Sequence, residues 1–145
     1  MNTDADNFAQ LLKNNGVSVT TARRAIFHTL RDADEPLKNG EIARRTPTVD
    51  RASVYRTLEL FARLGITETV MRGWTPYTEL AEPFTPHHHH IICENCGKVV
   101  EIENDTLEDV LNLVASRYDF ALQKHVVELS GLCADCRAKT TRQAA

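Results

Sequence analysis

All four cysteines of this 145-residue chain fall in two Cys-x-x-Cys pairs, Cys93/Cys96 and Cys133/Cys136, separated by the 36 residues 97–132. A pair at this spacing suits a tight turn that aims both sulfurs at one cation. Two such pairs supply four thiolates and leave no open coordination position, the donor set of a closed, structural zinc site. The segments carrying the pairs must then end side by side, so the metal ties the last strand to the first hairpin of a small domain. A redox dithiol or unrelated thiols are the alternatives. Disulfides fit less well, because the polar, acidic start Met1–Asp6 lacks the basic opening and apolar stretch of an export signal.

The formal charge of −3 does not suggest a nucleic-acid binder, but the two halves differ. Residues 1–80 carry 11 Lys/Arg and 10 Asp/Glu, whereas residues 81–145 carry 6 and 10. The first half holds the basic residues that matter, and the acidic surplus of the second suits divalent cations. No apolar run approaches the roughly 18 residues of a membrane span, so a soluble, cytoplasmic protein of one ordinary or two small domains is expected.

The first half reads as helices: Asn7 to Lys13, a segment capped by Thr20 or Thr21 through about Arg31, a short helix capped by Asn39, and one from Asp50 to Leu64 stopped by Gly65. Ile66–Met71 and Pro76–Leu80 then flank Arg72-Gly73-Trp74-Thr75 as a hairpin. Helices followed by such a hairpin make a winged helix-turn-helix over residues 1–81, the alternative being a small helical bundle with an appended hairpin. Residues 82–86 are the expected linker. Residues 87–145 read as an α+β domain: strand His88–Cys93, turn at Asn95-Cys96-Gly97, strand Val99–Glu103, helix Asp105–Tyr118, and a last strand from about Ala121 to Ser130.

The run His87-His88-His89-His90 is internal and leads into apolar Ile91-Ile92, which argues against a leftover tag. Alternate side chains of a strand point to opposite faces, so His88 and His90 project one way and His87 and His89 the other. One strand thereby serves two metal sites. Glu79 at the hairpin end and Glu101 on the neighbouring strand are the candidate oxygen donors on one side; Glu108 on the helix and His125 on the last strand are the candidates on the other. Imidazole and carboxylate without thiolate suit Fe(II), Mn(II), Co(II) or Zn(II) and do not choose among them. The alternative is a set of ordinary surface or core histidines.

In the helix from Arg51 to Leu64, Val54, Leu58 and Phe61 share one face, with Ala52, Arg56 and Arg63 opposite and Tyr55 on the flank. Arginines and a tyrosine opposite a packed face suit a helix laid in the major groove, and Arg51, Ser53, Tyr55 and Arg56 are its candidate DNA contacts. A merely solvated basic face is the alternative. Arg72 in the hairpin loop is a further candidate for phosphate or the minor groove.

Together, Gly16-Val-Ser-Val-Thr-Thr-Ala-Arg23, Ala52-Ser-Val-Tyr-Arg56, His87-His-His-His-Ile-Ile-Cys-Glu-Asn-Cys-Gly97, Glu101 and Cys133-Ala-Asp-Cys136 resemble the ferric uptake regulator family over nearly the whole chain. The resemblance implies a homodimer joined through C-terminal dimerisation domains, metal-dependent binding to an AT-rich inverted repeat of double-stranded DNA, and repression of metal-uptake genes. It also implies that Tyr55 and Arg56 read DNA with help from Lys13, that Glu79, His88, His90 and Glu101 form the regulatory site, and that His87, Glu108 and His125 form a second site, in which His89 stands where many relatives have Asp. Zinc is the implied structural metal. Fe(II) is the favoured regulatory metal, with zinc, manganese or peroxide sensing as alternatives. Relatives usually take another regulatory histidine from the loop here formed by Asp32–Lys38, which has none; Glu35 or another nearby carboxylate substitutes, or the site closes with fewer ligands.

Two readings of other classes stand beside this one. A hydrolytic metalloenzyme is disfavoured, because neither a nucleophile motif nor a general base beside an open metal position is found. A metal-buffering protein would show no specific, salt-dependent DNA binding. No membrane or small organic substrate is expected as a partner.

Overall fold

The computed structural model describes residues 3–143; Met1, Asn2, Ala144 and Ala145, assigned above to the ends of the two domains, lie outside them. The chain separates into two compact units, Met1–Pro86 and His87–Ala145.

The first unit runs α1 (Asp4–Asn14), α2 (Thr21–Arg31), α3 (Asn39–Arg45), α4 (Arg51–Arg63), β1 (Thr67–Arg72) and β2 (Thr75–Leu80). Caps set the helix starts. Thr3 and Asp6 form a reciprocal capping box that begins α1 three residues before the apolar pattern suggests. Thr20 caps α2, and the Asp50 carboxylate accepts the Ser53 N–H of α4 at 2.9 Å. Asn39 does not cap α3 as expected, because its side-chain oxygen accepts the Thr78 hydroxyl of β2 at 2.8 Å. The helices bury Phe8, Leu12, Ile26, Phe27, Ile42, Val54 and Phe61. Phe8 stacks on Phe27 with centroids 4.3 Å apart and meets Phe61 edge-on at 5.5 Å.

The hairpin turn is tighter than the expected four-residue loop: Arg72 pairs with Thr75, leaving Gly73 and Trp74 at the tip, with Gly73 at φ +61°. Leu37, between α2 and α3, exchanges two backbone hydrogen bonds with Thr78, of 2.9 and 2.7 Å, and so fastens that loop to β2. The expected linker segment is anchored to the first unit, where Phe84 is buried edge-on against Phe27 at 5.1 Å.

The second unit runs β3 (His89–Cys93), β4 (Val99–Ile102), α5 (Asp105–Arg117), β5 (Glu128–Gly131) and α6 (Ala134–Gln143). The strand order is β4-β3-β5, with β3 antiparallel to β4 and parallel to β5. Two expectations are corrected. The last strand is confined to the four residues that pair with His90–Cys93, so His125 lies in the irregular stretch before it. α6 was not foreseen, because Ala-Asp-Cys-Arg-Ala-Lys-Thr-Thr-Arg-Gln lacks apolar periodicity. Asn104 caps α5, and past its C-cap Tyr118 the chain turns at Asp119, a non-glycine residue at φ +60°. Among the described residues, those buried in this unit are His89, His90, Ile92, Cys93 and Cys136. Its interior is thus mostly donor atoms. No described helix is long and apolar enough to cross a membrane.

Candidate metal centres

The four cysteine sulfurs lie within 4.8 Å of one another. Gly97, at φ +72°, closes the first turn by donating its N–H to the Cys93 carbonyl at 2.8 Å, while the Cys93 N–H bonds Lys98 at 2.8 Å. Parallel pairing sets Cys93 opposite Gly131, which delivers Cys133 and, in the first turn of α6, Cys136. The Cys96 and Cys133 sulfurs are 3.8 Å apart. A regular tetrahedron with the usual zinc–sulfur bond has edges of about 3.8 Å, so the donor set fits zinc.

Polar groups around the sulfurs divide their acidities. Hydrogen bonds from the backbone of Cys133 and Cys96 lower the Cys93 thiol to about 6. Cys136 accepts the Asn95 amide at 3.1 Å, which lowers its pKa, yet burial and the neighbouring Cys133, Cys96 and Cys93 sulfurs leave it raised to about 11. Sequence reasoning missed Asn95 and the Cys133 N–H as donors to sulfur. An amide inside the Cys93–Cys96 spacing was the available signal.

The histidine run alternates as expected. The His88 and His90 rings are 4.8 Å apart, as are those of His87 and His89. His87, His89, Glu108 and His125 gather ligand atoms within 4.8 Å of one another. His89 Nε2 donates to Glu108 Oε1 at 2.6 Å, His87 Nε2 approaches the same oxygen at 3.3 Å, and His125 Nε2 approaches Oε2 at 3.3 Å. His87 and His125 Nε2 are 3.0 Å apart. The hydrogen bond from His89, with the nearby His125 and His87, holds the Glu108 carboxyl below the usual carboxylate range. Nitrogen and oxygen donors around a four-coordinate zinc-sized ion stand about 3.3 Å apart, so this set also fits a divalent metal.

Glu79 sits half-buried on β2 opposite Glu68. Glu101 departs from expectation: it is in register with His90, but its side chain is exposed and outside the close donor groups. At the end of a short strand, shared register aligns backbones without drawing a solvated carboxylate inward. Glu35 does not fill the place of a loop histidine either, since its carboxylate takes the Arg72 guanidinium at 3.0 Å.

That ion pair also corrects the reading of Arg72. Its side chain is 13% exposed and its guanidinium lies 4.3 Å from the centroid of the Tyr77 ring, so it braces the hairpin instead of standing ready for phosphate. α4 buries Val54, Thr57, Leu58 and Phe61 and leaves Arg51 and Arg56 exposed, with Ser53 and Tyr55 half-buried. Arg51 donates to the Tyr55 hydroxyl at 3.3 Å, and Arg56 to the Ser53 hydroxyl at 3.0 Å. Lys13 is exposed in the last turn of α1.

The model of the ferric uptake regulator family matches residues 14–130. The ferric uptake regulation protein of Campylobacter jejuni is 35% identical over 139 residues, covering 90% of this chain and 87% of that protein. The peroxide-responsive repressor PerR of Staphylococcus saprophyticus is 34% identical over 137 residues, covering 88% of each. Among solved structures, the Helicobacter pylori ferric uptake regulator, described as having three functional metal-binding sites, superposes with a TM-score of 0.75 at 24% identity, covering 92% of this chain and 91% of that one. At that identity the likeness is one of fold.

Proposed function

Because the chain belongs to the ferric uptake regulator family, we propose that it is a cytoplasmic, metal-responsive repressor that binds DNA as a homodimer and governs genes of metal uptake. It acts as a regulator and not as a catalyst. Zinc in the four-cysteine site holds the second unit together, and Glu79, His88 and His90 are the proposed regulatory ligands for Fe(II). Tyr55 and Arg56, with Arg51, Ser53 and Lys13, are the proposed contacts to DNA.

One observation carries the reading: a histidine run alternates along one strand, and a donor set free of thiolate, His87, His89, Glu108 and His125, gathers on one side of it, apart from the closed cysteine site. Such nitrogen and oxygen sets exchange metal, whereas four thiolates retain it. Metal acts by binding the DNA-competent form of the dimer more tightly than other forms, which shifts the population toward it. A two-fold dimer is matched by an inverted-repeat operator.

The test replaces His88 and His90 together by alanine and titrates both proteins, with and without Fe(II), Mn(II) or Zn(II), against a duplex obtained by in vitro selection with the wild-type protein. Metal-dependent binding is expected in the wild type and lost in the double variant. Unchanged metal dependence in the variant overturns the regulatory ligand set, and tightest response to Mn(II) or Zn(II) replaces iron as the sensed metal.

A further inference from the structure

The geometry points to Thr78 and Asn39 as positioning residues, whose side-chain hydrogen bond carries the pull of a metal on Glu79 to Tyr55 on the DNA-reading helix. The inference rests on the reading above that Glu79 holds the regulatory metal and that Tyr55 contacts DNA.

α3 is weakly specified by its own sequence. It has 7 residues, its N-cap Lys38 makes no side-chain hydrogen bond to the helix, and Gly40, a poor helix former, stands in its first turn. A helix this short is held by contacts from outside itself, and those at its start come from β2. Thr78 gives its hydroxyl to the Asn39 side chain at 2.8 Å, while its main-chain N–H and carbonyl both bond Leu37, at 2.7 and 2.9 Å. The Lys38 ammonium lies 5.4 Å from the centroid of the Tyr77 ring. Leu37, Lys38 and Asn39 are thus each tied to Tyr77 or Thr78. The hydroxyl bond is the tie that reaches α3 itself, and it can be removed without touching the two main-chain bonds.

On the far side of this link lies α4. A Cβ on Gly40 would stand 3.6 Å from the Tyr55 hydroxyl, so the first turn of α3 runs alongside that group. Arg51 donates to the same hydroxyl at 3.3 Å. The Tyr55 hydroxyl is therefore bounded by Gly40 on one helix and by Arg51 on its own. A shift in the first turn of α3 changes the space open to it.

On the near side lies Glu79, the next residue of β2 after Thr78. Neighbouring side chains of a strand take opposite faces, so the two serve different partners from one stretch of main chain. A cation that draws in the Glu79 carboxylate bears on that main chain, and the Thr78 hydroxyl passes the displacement to Asn39. Metal and DNA then bias one element, the start of α3, and each must change the affinity for the other by the same factor.

Fluorescence anisotropy of the full chain on the duplex selected above gives the ratio of DNA dissociation constants without and with metal, for Fe(II), Mn(II) and Zn(II) in turn. Metal content and thermal midpoint are read on the same samples. The wild-type ratio is expected at about 5–150. Thr78→Val, which keeps the main-chain bonds and the side-chain shape, should bind the wild-type number of metal equivalents yet lower the ratio at least about threefold. Asn39→Ala should do the same, and the double variant should lower the ratio no further than either single one. Thr78→Ser, which keeps the hydroxyl, should keep the ratio. A bond of purely structural value would lower the midpoint and leave the ratio alone, so a wild-type ratio in Thr78→Val or in Asn39→Ala overturns the proposal. Additive losses in the double variant, or a loss in Thr78→Ser equal to that in Thr78→Val, overturn it as well. A wild-type ratio of one with all three metals, or an undiminished ratio in Glu79→Gln, overturns the reading beneath it and takes the proposal with it.

Discussion

Replacing Arg72 by alanine separates a brace from a DNA contact. The guanidinium is mostly covered, paired with Glu35 at 3.0 Å and set over Tyr77 at 4.3 Å. An ion pair with one exposed partner contributes at most about 1 kcal/mol, and a cation over a half-exposed ring such as Tyr77 roughly 0.5–1 kcal/mol. Arg72→Ala should therefore destabilise the first unit by about 1–2 kcal/mol. For a domain of this size that is a fall of roughly 5–10 °C in the midpoint of its thermal transition. A double-mutant cycle with Glu35→Ala should return a coupling of about 0.2–1 kcal/mol. DNA affinity of the folded variant, measured by fluorescence anisotropy against salt, should keep the wild-type slope. An unchanged midpoint with a slope shallower by about one counterion would refute the reasoning, since it would place the guanidinium on a phosphate in the complex.

Phe27→Ala removes a fully buried ring stacked on Phe8 and should cost about 3–5 kcal/mol in chemical denaturation. Stripping the metal from the cysteine site with a strong chelator should unfold the second unit while the helices of the first persist, as followed by hydrogen exchange; full protection of β3 and β5 without metal would contradict this. Asp50, whose hydrogen bonds with Ser53 lower its pKa from 3.8, stabilises the folded chain above its unfolded value and loses that effect as pH falls through the folded one. Asp50→Ala should accordingly be destabilised at pH 6, by a margin that narrows below about pH 4 in thermal melts.

Helix starts were legible wherever a local residue decides them, as at Thr20 and Asp50. They were missed where a distant partner intervened: Asn39 is claimed by Thr78, a residue 39 positions on. The alternation of His87–His90 followed from strand geometry alone. Arg72 and Glu35 were each given a role by residue type, and a contact across 37 positions withdrew both. β5 was read too long because its extent is set by pairing with β3, which periodicity does not contain. α6 was invisible because its sequence is polar throughout and its first turn holds Cys136 in place for the cysteine cluster.

The parallel pairing of β3 with β5 also sets an order in time. Cys93 and Cys96 belong to one local turn and can take up a metal as soon as that turn forms, whereas Cys133 and Cys136 arrive only after the intervening 36 residues, 97–132, have closed into a loop. Four ladder positions repay little of that closure entropy, so a metal gathered by all four cysteines would speed the closing of the second unit. The helices of the first unit emerge earlier during synthesis and need no metal to pack. A cell short of that metal would then accumulate chains whose first unit is folded and whose second is not.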